Sequence, residues 1–202
     1  MKNIWLALAL CVLALPAQAV ERFIAGEHYL VVGNPGTEIQ EKGRVVEFFS
    51  YGCPHCEHLE PYLHQWLASK KDSVQFVRVP AQWNAYYKVL ARFYLTLNKL
   101  GLAEQHSKEV FNYVHMQRKP LLNKSQIRDF AENTLKIPAT EFDAAWGSAE
   151  VKEKLTEAGQ MLRQFKVSGV PALVVNDVYY VSVKLAGSED ALFEVVDFLL
   201  QK

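Results

Sequence analysis

The stretch VVEFFSYGCPHCEHLEPYLHQWL, residues 45–67, constrains this chain more than any other. Cys53 and Cys56 sit three positions apart, between an apolar run and a segment with Leu59, Leu63, Trp66 and Leu67 on one helical face. Pro54 suits the first position of that helix, because its missing N–H would be unpaired there in any case. Cys53 then falls at the N-cap, and the free N–H groups of the first turn face its sulfur. A thiolate is the reactive form of cysteine, and such a location lowers a thiol pKa. His55, between the two cysteines, adds either a charge or an N–H dipole. Cys56 lies nearly a turn further along and deeper. The pair thus reads as two unlike thiols, with Cys53 exchanging with a partner sulfur and Cys56 resolving the mixed disulfide.

The surrounding pattern supplies the frame. Residues 28–32 and 44–50 read as strands, the helix opened by Pro54 follows, and residues 74–79 read as a further strand. A helix between two strands implies a parallel pair. From residue 84 to about 166 only helical stripes appear. They comprise Tyr86 to Leu100, a second around Val110, Phe111 and Val114, and a third opened by Ser125. A fourth is capped by Thr140 with Asp143 as its capping-box partner, and a fifth runs from Val151 to Phe165. ALVV and VYYVSV then form a hairpin turning at Asn176-Asp177, and Ser188 caps a last helix. The expected class is α/β, a mixed sheet flanked by helices with a large all-helical insertion. The division is a sheet domain from 20–83 and 167–202, with 84–166 inserted.

The N-terminus narrows the compartment. Lys2, the apolar run Ile4 to Leu15, Pro16 and AQA make an export signal over residues 1–19, with cleavage expected after Ala19. The run is short for a membrane span, although an uncleaved anchor or a buried N-terminal helix is the competing interpretation. Cleavage would remove Cys11 and leave Cys53 and Cys56 as the cysteines of the exported chain. A bridge across two intervening residues closes too short a loop to staple a fold, so its use is chemical. Removing Lys2 leaves 21 basic against 22 acidic residues, a net charge of −1, with no basic excess of the kind nucleic acid requires.

Other uses of a C-x-x-C fit less well. Structural zinc wants four ligands, and His58 and His64 supply no standard spacing. Covalent haem attachment wants a histidine at position 57, which is Glu57. A C-x-x-C after a strand and before a helix points to redox exchange with no cofactor beyond the sulfurs themselves.

Taken together, EFFSYGCPHC, the returning SGVPALVVN and the helical insertion resemble the DsbA family of exported thiol oxidases in the thioredoxin-fold superfamily. The order of elements matches over essentially the whole chain beyond the signal. The resemblance implies a cis peptide at Val170-Pro171 facing the cysteines, with the Val170 backbone free to pair with an extended substrate. It also implies that Glu47 is a buried acid with a basic partner on the next strand, here Arg78 where family members often carry lysine. The competing interpretation leaves Glu47 in solvent at a sheet edge. The implied activity is a periplasmic dithiol–disulfide oxidase. It would donate a Cys53–Cys56 disulfide to reduced, unfolded exported proteins and be reoxidised by a membrane quinone-linked, DsbB-like partner. An isomerase or reductase is the nearest rival, and a peptide-binding chaperone without turnover is the rival from another class. The 33 residues from 20 to 52 leave no room for the dimerisation domain that precedes this fold in exported isomerases.

Overall fold

The computed structural model describes residues 21–35, 42–70 and 73–202; the expected export signal, with Cys11 and the expected cleavage position after Ala19, lies outside these. One five-stranded sheet organises the chain, in the order β1-β5-β4-β2-β3. β1 is Leu30–Val31, β2 Gly43–Phe49, β3 Val74–Pro80, β4 Ala172–Val175 and β5 Tyr179–Val181. β2 and β3 pair in parallel and the other pairings are antiparallel. β2 lies between two partners with both faces covered, which is why it reads as an almost unbroken apolar run.

Side-chain alternation assigns the faces. Val45 packs with Leu59, Leu63 and Trp66 of α1 (Pro54–Lys70) and with Leu192, Val195 and Leu199 of α8 (Glu189–Leu199). Val46 and Phe48 point the other way, onto Ala158, Leu162 and Phe165 at α6 (Ala149–Gln164) and its C-cap. Between β3 and β4 the chain runs through α2 (Ala85–Lys99), α3 (Ala103–Phe111), α4 (Lys124–Asn133), α5 (Ala139–Gly147) and α6. Phe93, Leu97, Phe111, Ile127, Phe130 and Phe142 form their shared core. That core continues without a break into Phe49, Tyr51, Cys53 and Cys56.

The return hairpin turns at Asn176 and Asp177 with φ of 52° and 58°, the left-handed pair that a two-residue turn requires. Ser188 caps α8 by accepting the N–H of Ala191 at 3.1 Å.

Several local expectations need correction. Thr140 is not a cap: Pro138 precedes α5 and no side chain caps it. Asp143, one turn in, instead reaches across to Arg128 at 2.9 Å and Lys124 at 2.6 Å on α4, so it tethers two helices. Asn123, not Ser125, opens α4, its side chain accepting the N–H of Gln126 at 3.0 Å. The segment 179–183 leaves the sheet after Val181, and Val183–Ala186 form a short helix, α7, ended by Gly187 at φ 97°. The first strand keeps two residues, because His28 is drawn into a turn where its Nδ1 accepts the N–H of Ile24 at 3.1 Å. Asn112–Met116 adopt a π-helical turn at the end of α3.

Candidate active site

The loop from β2 to α1 is built so that Cys53 caps the helix. The Ser50 carbonyl accepts the Cys53 N–H at 3.0 Å, and the Ser50 hydroxyl accepts the Gly52 N–H at 3.1 Å. Gly52 is demanded by close approach: a Cβ there would lie 2.8 Å from Cε1 of Tyr86 and 3.1 Å from Cδ1 of Leu90 on α2. The Cys53 carbonyl accepts the N–H groups of Cys56 and Glu57 at 3.1 and 3.2 Å, and the Cys56 N–H also lies 3.3 Å from Cys53 Sγ. Pro54 and His55 are exposed on the first turn.

Both cysteines are free thiols, Cys53 4 % exposed and Cys56 fully buried. Their acidities diverge. The Cys56 thiol, bonding to the Cys53 sulfur, is the largest influence bringing the Cys53 pKa down to about 7 against the opposing effect of burial. The backbone N–H groups of Cys56 and His55 act the same way, and the His55 charge adds a smaller push. Burial, then the bond to Cys53, then the charges of Cys53 and Glu47 hold the Cys56 thiol well above its ordinary range. One sulfur is thus an anion near neutrality and its neighbour a proton holder.

The loop before β4 meets this sulfur. The Cys53 thiol lies 3.4 Å from the Val170 carbonyl, and the Val170–Pro171 peptide is cis. Beside it His55, Gly169, Val170, Pro171, Tyr180 and Lys184 line a groove of about 480 Å³.

Glu47 is fully buried, which overturns the solvent-edge alternative. Arg78 faces it in register across the β2–β3 ladder, with Nε 2.6 Å from Oε2 and Nη2 3.4 Å from Oε1. Its guanidinium also stacks over the Phe49 ring at 4.1 Å. The arginine is shared, for it also pairs with Glu60 of α1, and Glu60 accepts the Ser107 hydroxyl at 2.8 Å. Burial pushes the Glu47 carboxyl up to about 7 in spite of Arg78, with Glu60 adding to the rise. The two carboxylates raise the Arg78 pKa against its own burial. Sequence reasoning missed Glu60, although its position four residues after Cys56 puts a carboxylate on the buried side of α1.

It also missed His115. The π-helical turn brings the His115 Nε2 to 2.8 Å from the Tyr51 carbonyl, two residues before Cys53, and stacks the ring on Phe111. Of the other histidines weighed, His58 lies 3.6 Å from Glu189, and His64 lies 3.5 Å from Glu60 and 3.2 Å from Glu104. Among the described residues no cluster of three or more His, Cys, Asp or Glu side chains could hold a metal ion.

Comparison with known proteins assigns the family. The DSBA-like thioredoxin domain matches residues 73–193. A thiol:disulfide interchange protein DsbA of Pseudomonas aeruginosa is 29 % identical over 206 residues, covering 100 % of this chain and 97 % of that protein. Its counterpart in Bordetella parapertussis is 32 % identical over 196 residues, covering 96 % and 91 %. The crystal structure of Pseudomonas aeruginosa DsbA superposes with a TM-score of 0.82 at 29 % identity, over 89 % of this chain and 93 % of that one. The full-length likeness in sequence and the shared sheet and helices have one consequence: this chain belongs to the DSBA-like thioredoxin domain family.

Proposed function

We propose that the protein is a dithiol–disulfide oxidase of exported proteins, working through Cys53 and Cys56. The observation that carries this reading is the opposed acidity of two adjacent sulfurs, a Cys53 near pKa 7 and a Cys56 held protonated. In the oxidised enzyme a substrate thiolate attacks Cys53 Sγ, the Cys53–Cys56 bond breaks, and Cys56 leaves as a thiolate that takes up a proton. The second substrate thiolate then attacks the substrate sulfur of the mixed disulfide, and Cys53 leaves as a thiolate. Two electrons pass from substrate to enzyme and one substrate disulfide forms. A leaving thiol of low pKa departs faster, so the acidity of Cys53 favours this direction.

The remaining residues have roles that follow from their chemistry. Pro54 starts the helix whose N–H groups serve Cys53, and His55 adds charge there. Val170 and Pro171 border the path of an extended substrate chain, whose backbone would pair at Val170. Glu47, with a carboxyl near pKa 7, suits the delivery of a proton to Cys56, and Arg78 keeps that carboxyl compatible with burial. The sheet portions 20–83 and 167–202 act as the redox domain, and 84–166 as an inserted helical domain that closes over it. The protein works in the periplasm after removal of residues 1–19, and a membrane quinone-linked, DsbB-like protein reoxidises it; no described helix is long and apolar enough to cross a membrane. No cofactor beyond the cysteines is invoked.

The deciding experiment is catalytic reoxidation of a reduced, unfolded test protein by the oxidised enzyme. Substoichiometric turnover with glutathione disulfide as terminal oxidant supports the oxidase. Faster rearrangement of a scrambled protein, with no net oxidation, would instead mean an isomerase. Binding of the unfolded chain with no thiol chemistry would mean a chaperone.

A further inference from the structure

A second groove shares no lining residue with the peptide groove at Val170 and Pro171. It lies between the start of α2 and the end of α6, encloses about 610 Å³, and is lined by Trp83, Lys88, Thr156, Arg163 and Lys166, with no acidic residue in its wall. Lys88, Arg163 and Lys166 are exposed, and none makes an ion pair among the described residues. Trp83 is 45 % exposed, an open ring on a surface where large apolar groups are otherwise mostly covered. The groove is preformed, since Gln82 donates to the Leu155 carbonyl at 2.6 Å and so ties the two walls together.

Local helix stability does not explain the charge. Arg163 and Lys166 suit the C-terminal end of α6, but Lys88 sits at the N-terminal end of α2, where a cation opposes the helix dipole and no acid balances it. The carbonyls at the end of α6 are moreover already served by the backbone, Val167 N–H donating to Leu162 at 2.9 Å. Lys166 itself has φ 52°, at a position where glycine is the usual residue.

Two links connect the groove to the surroundings of the reacting sulfur. Trp83 lies 6.0 Å, centroid to centroid, from Tyr87, and Tyr87 packs against the space left by Gly52, next to Cys53. Lys166 is four residues from Val170, whose carbonyl meets Cys53 Sγ. Four residues of chain span at most about 14 Å, the reach of about four residues of an extended substrate.

We propose that this groove recognises acidic side chains in the substrate polypeptide, placed about four to six residues from the cysteine that Cys53 engages. The proposal rests on the oxidase reading and names the substrate class for that site. Trp83 covers the apolar stem of the bound segment, and the three cations draw in its carboxylates.

The test uses two reduced two-cysteine peptides of equal length, one with Asp and Glu four to six residues from a cysteine, the other with Gln in their place. Oxidation of the acidic peptide should show a kcat/KM about tenfold higher at low salt, carried by KM, as three exposed ion pairs of modest strength would give. The advantage should fade as salt rises through about 0.15 M. Lys88→Gln, Arg163→Gln and Lys166→Gln together should abolish it and leave the Gln peptide unaffected, and each single change should remove part. Equal rates for both peptides in the parent protein, or a preference that survives the triple change, overturns the proposal while the oxidase stands. Should neither peptide be oxidised, the oxidase reading fails. Calorimetric binding of the acidic peptide with both cysteines replaced by Ser then still decides the groove. Binding of anionic vesicles by the groove in preference to that peptide also overturns the proposal.

Discussion

Arg78 stands opposite Glu47 in the parallel β2–β3 ladder, its Nε 2.6 Å from Glu47 Oε2, yet the Glu47 carboxyl is still pushed up to about 7 by burial. One arginine shared between Glu47 and Glu60 does not fully offset the desolvation of Glu47. Between about pH 4.5 and 7 the folded state holds a proton that the unfolded state has released, so this group costs stability as pH rises through that window. Glu47→Gln removes the cost and leaves Arg78 paired with Glu60. The variant should gain on the parent as pH rises from 4.5 and level off above 7, by roughly 3 kcal/mol. Urea melts at pH 4.5 and 8 check this, and a difference that does not change with pH counts against it.

Arg78→Met acts in the opposite direction. It leaves Glu47 and Glu60 buried with no cation between them, at a cost of roughly 3–5 kcal/mol near pH 8. At pH 5 the loss should be smaller, because Glu47 is already protonated there. Parent-like melting at both values would mean that water reaches the two carboxylates.

Glu47 stood out in the sequence as a lone glutamate inside an apolar strand, and the resemblance to the DsbA family supplied Arg78 on the next strand as its partner. Glu60 was not read, because α1 carries charge along much of its length and nothing local marks which acid turns inward. The hairpin at Asn176-Asp177 and the Ser188 cap depend on neighbouring residues alone, and so were read correctly. Thr140 failed as a cap because Asp143 has stronger partners across space, in Lys124 and Arg128. His115 left no trace in the sequence, because only a π-helical turn and the fold of the helical block carry it to Tyr51.

The acidity of Cys53 should depend on its neighbours in a definite order. The Cys56 thiol is the largest favourable influence and the His55 charge the smallest. Cys56→Ala should therefore raise the Cys53 pKa more than His55→Leu does, and both variants should remain folded. Iodoacetamide reaction rates against pH measure this directly. In the parent, Cys53 should be alkylated first at mildly acid pH; prior labelling of Cys56 would reverse their roles.

His115 should position the loop that carries Cys53. Its Nε2 meets the Tyr51 carbonyl at 2.8 Å while its ring rests on Phe111, so it ties the helical block to the active-site turn. His115→Leu should raise the Cys53 pKa and slow oxidation of a test peptide several-fold, by loosening the N–H groups around the sulfur. His115→Gln keeps a donor and should recover most of both. Equal loss in the two variants, tracking their melting temperatures, would reduce the residue to packing.

The relative stability of the reduced and oxidised proteins should shift with pH. The folded reduced protein holds Cys53 at about 7, against an ordinary value of 9.0. A depressed thiol pKa adds stability that is complete above the unfolded value and lost as pH falls through the folded one. The oxidised protein has no thiol at that position and lacks this dependence. Cys56, shifted upward, acts only where an unfolded thiol would ionise, near pH 9 and above. From pH 6 to 8.5 the reduced form should therefore gain about 2 kcal/mol on the oxidised form. Stability in the folded reduced state is also what makes the disulfide oxidising, at roughly 30 mV for each 1.4 kcal/mol. Parallel denaturant melts of both forms across this range provide the check. A difference independent of pH would mean that folding does not stabilise the Cys53 thiolate, and the oxidase reading would lose its main support.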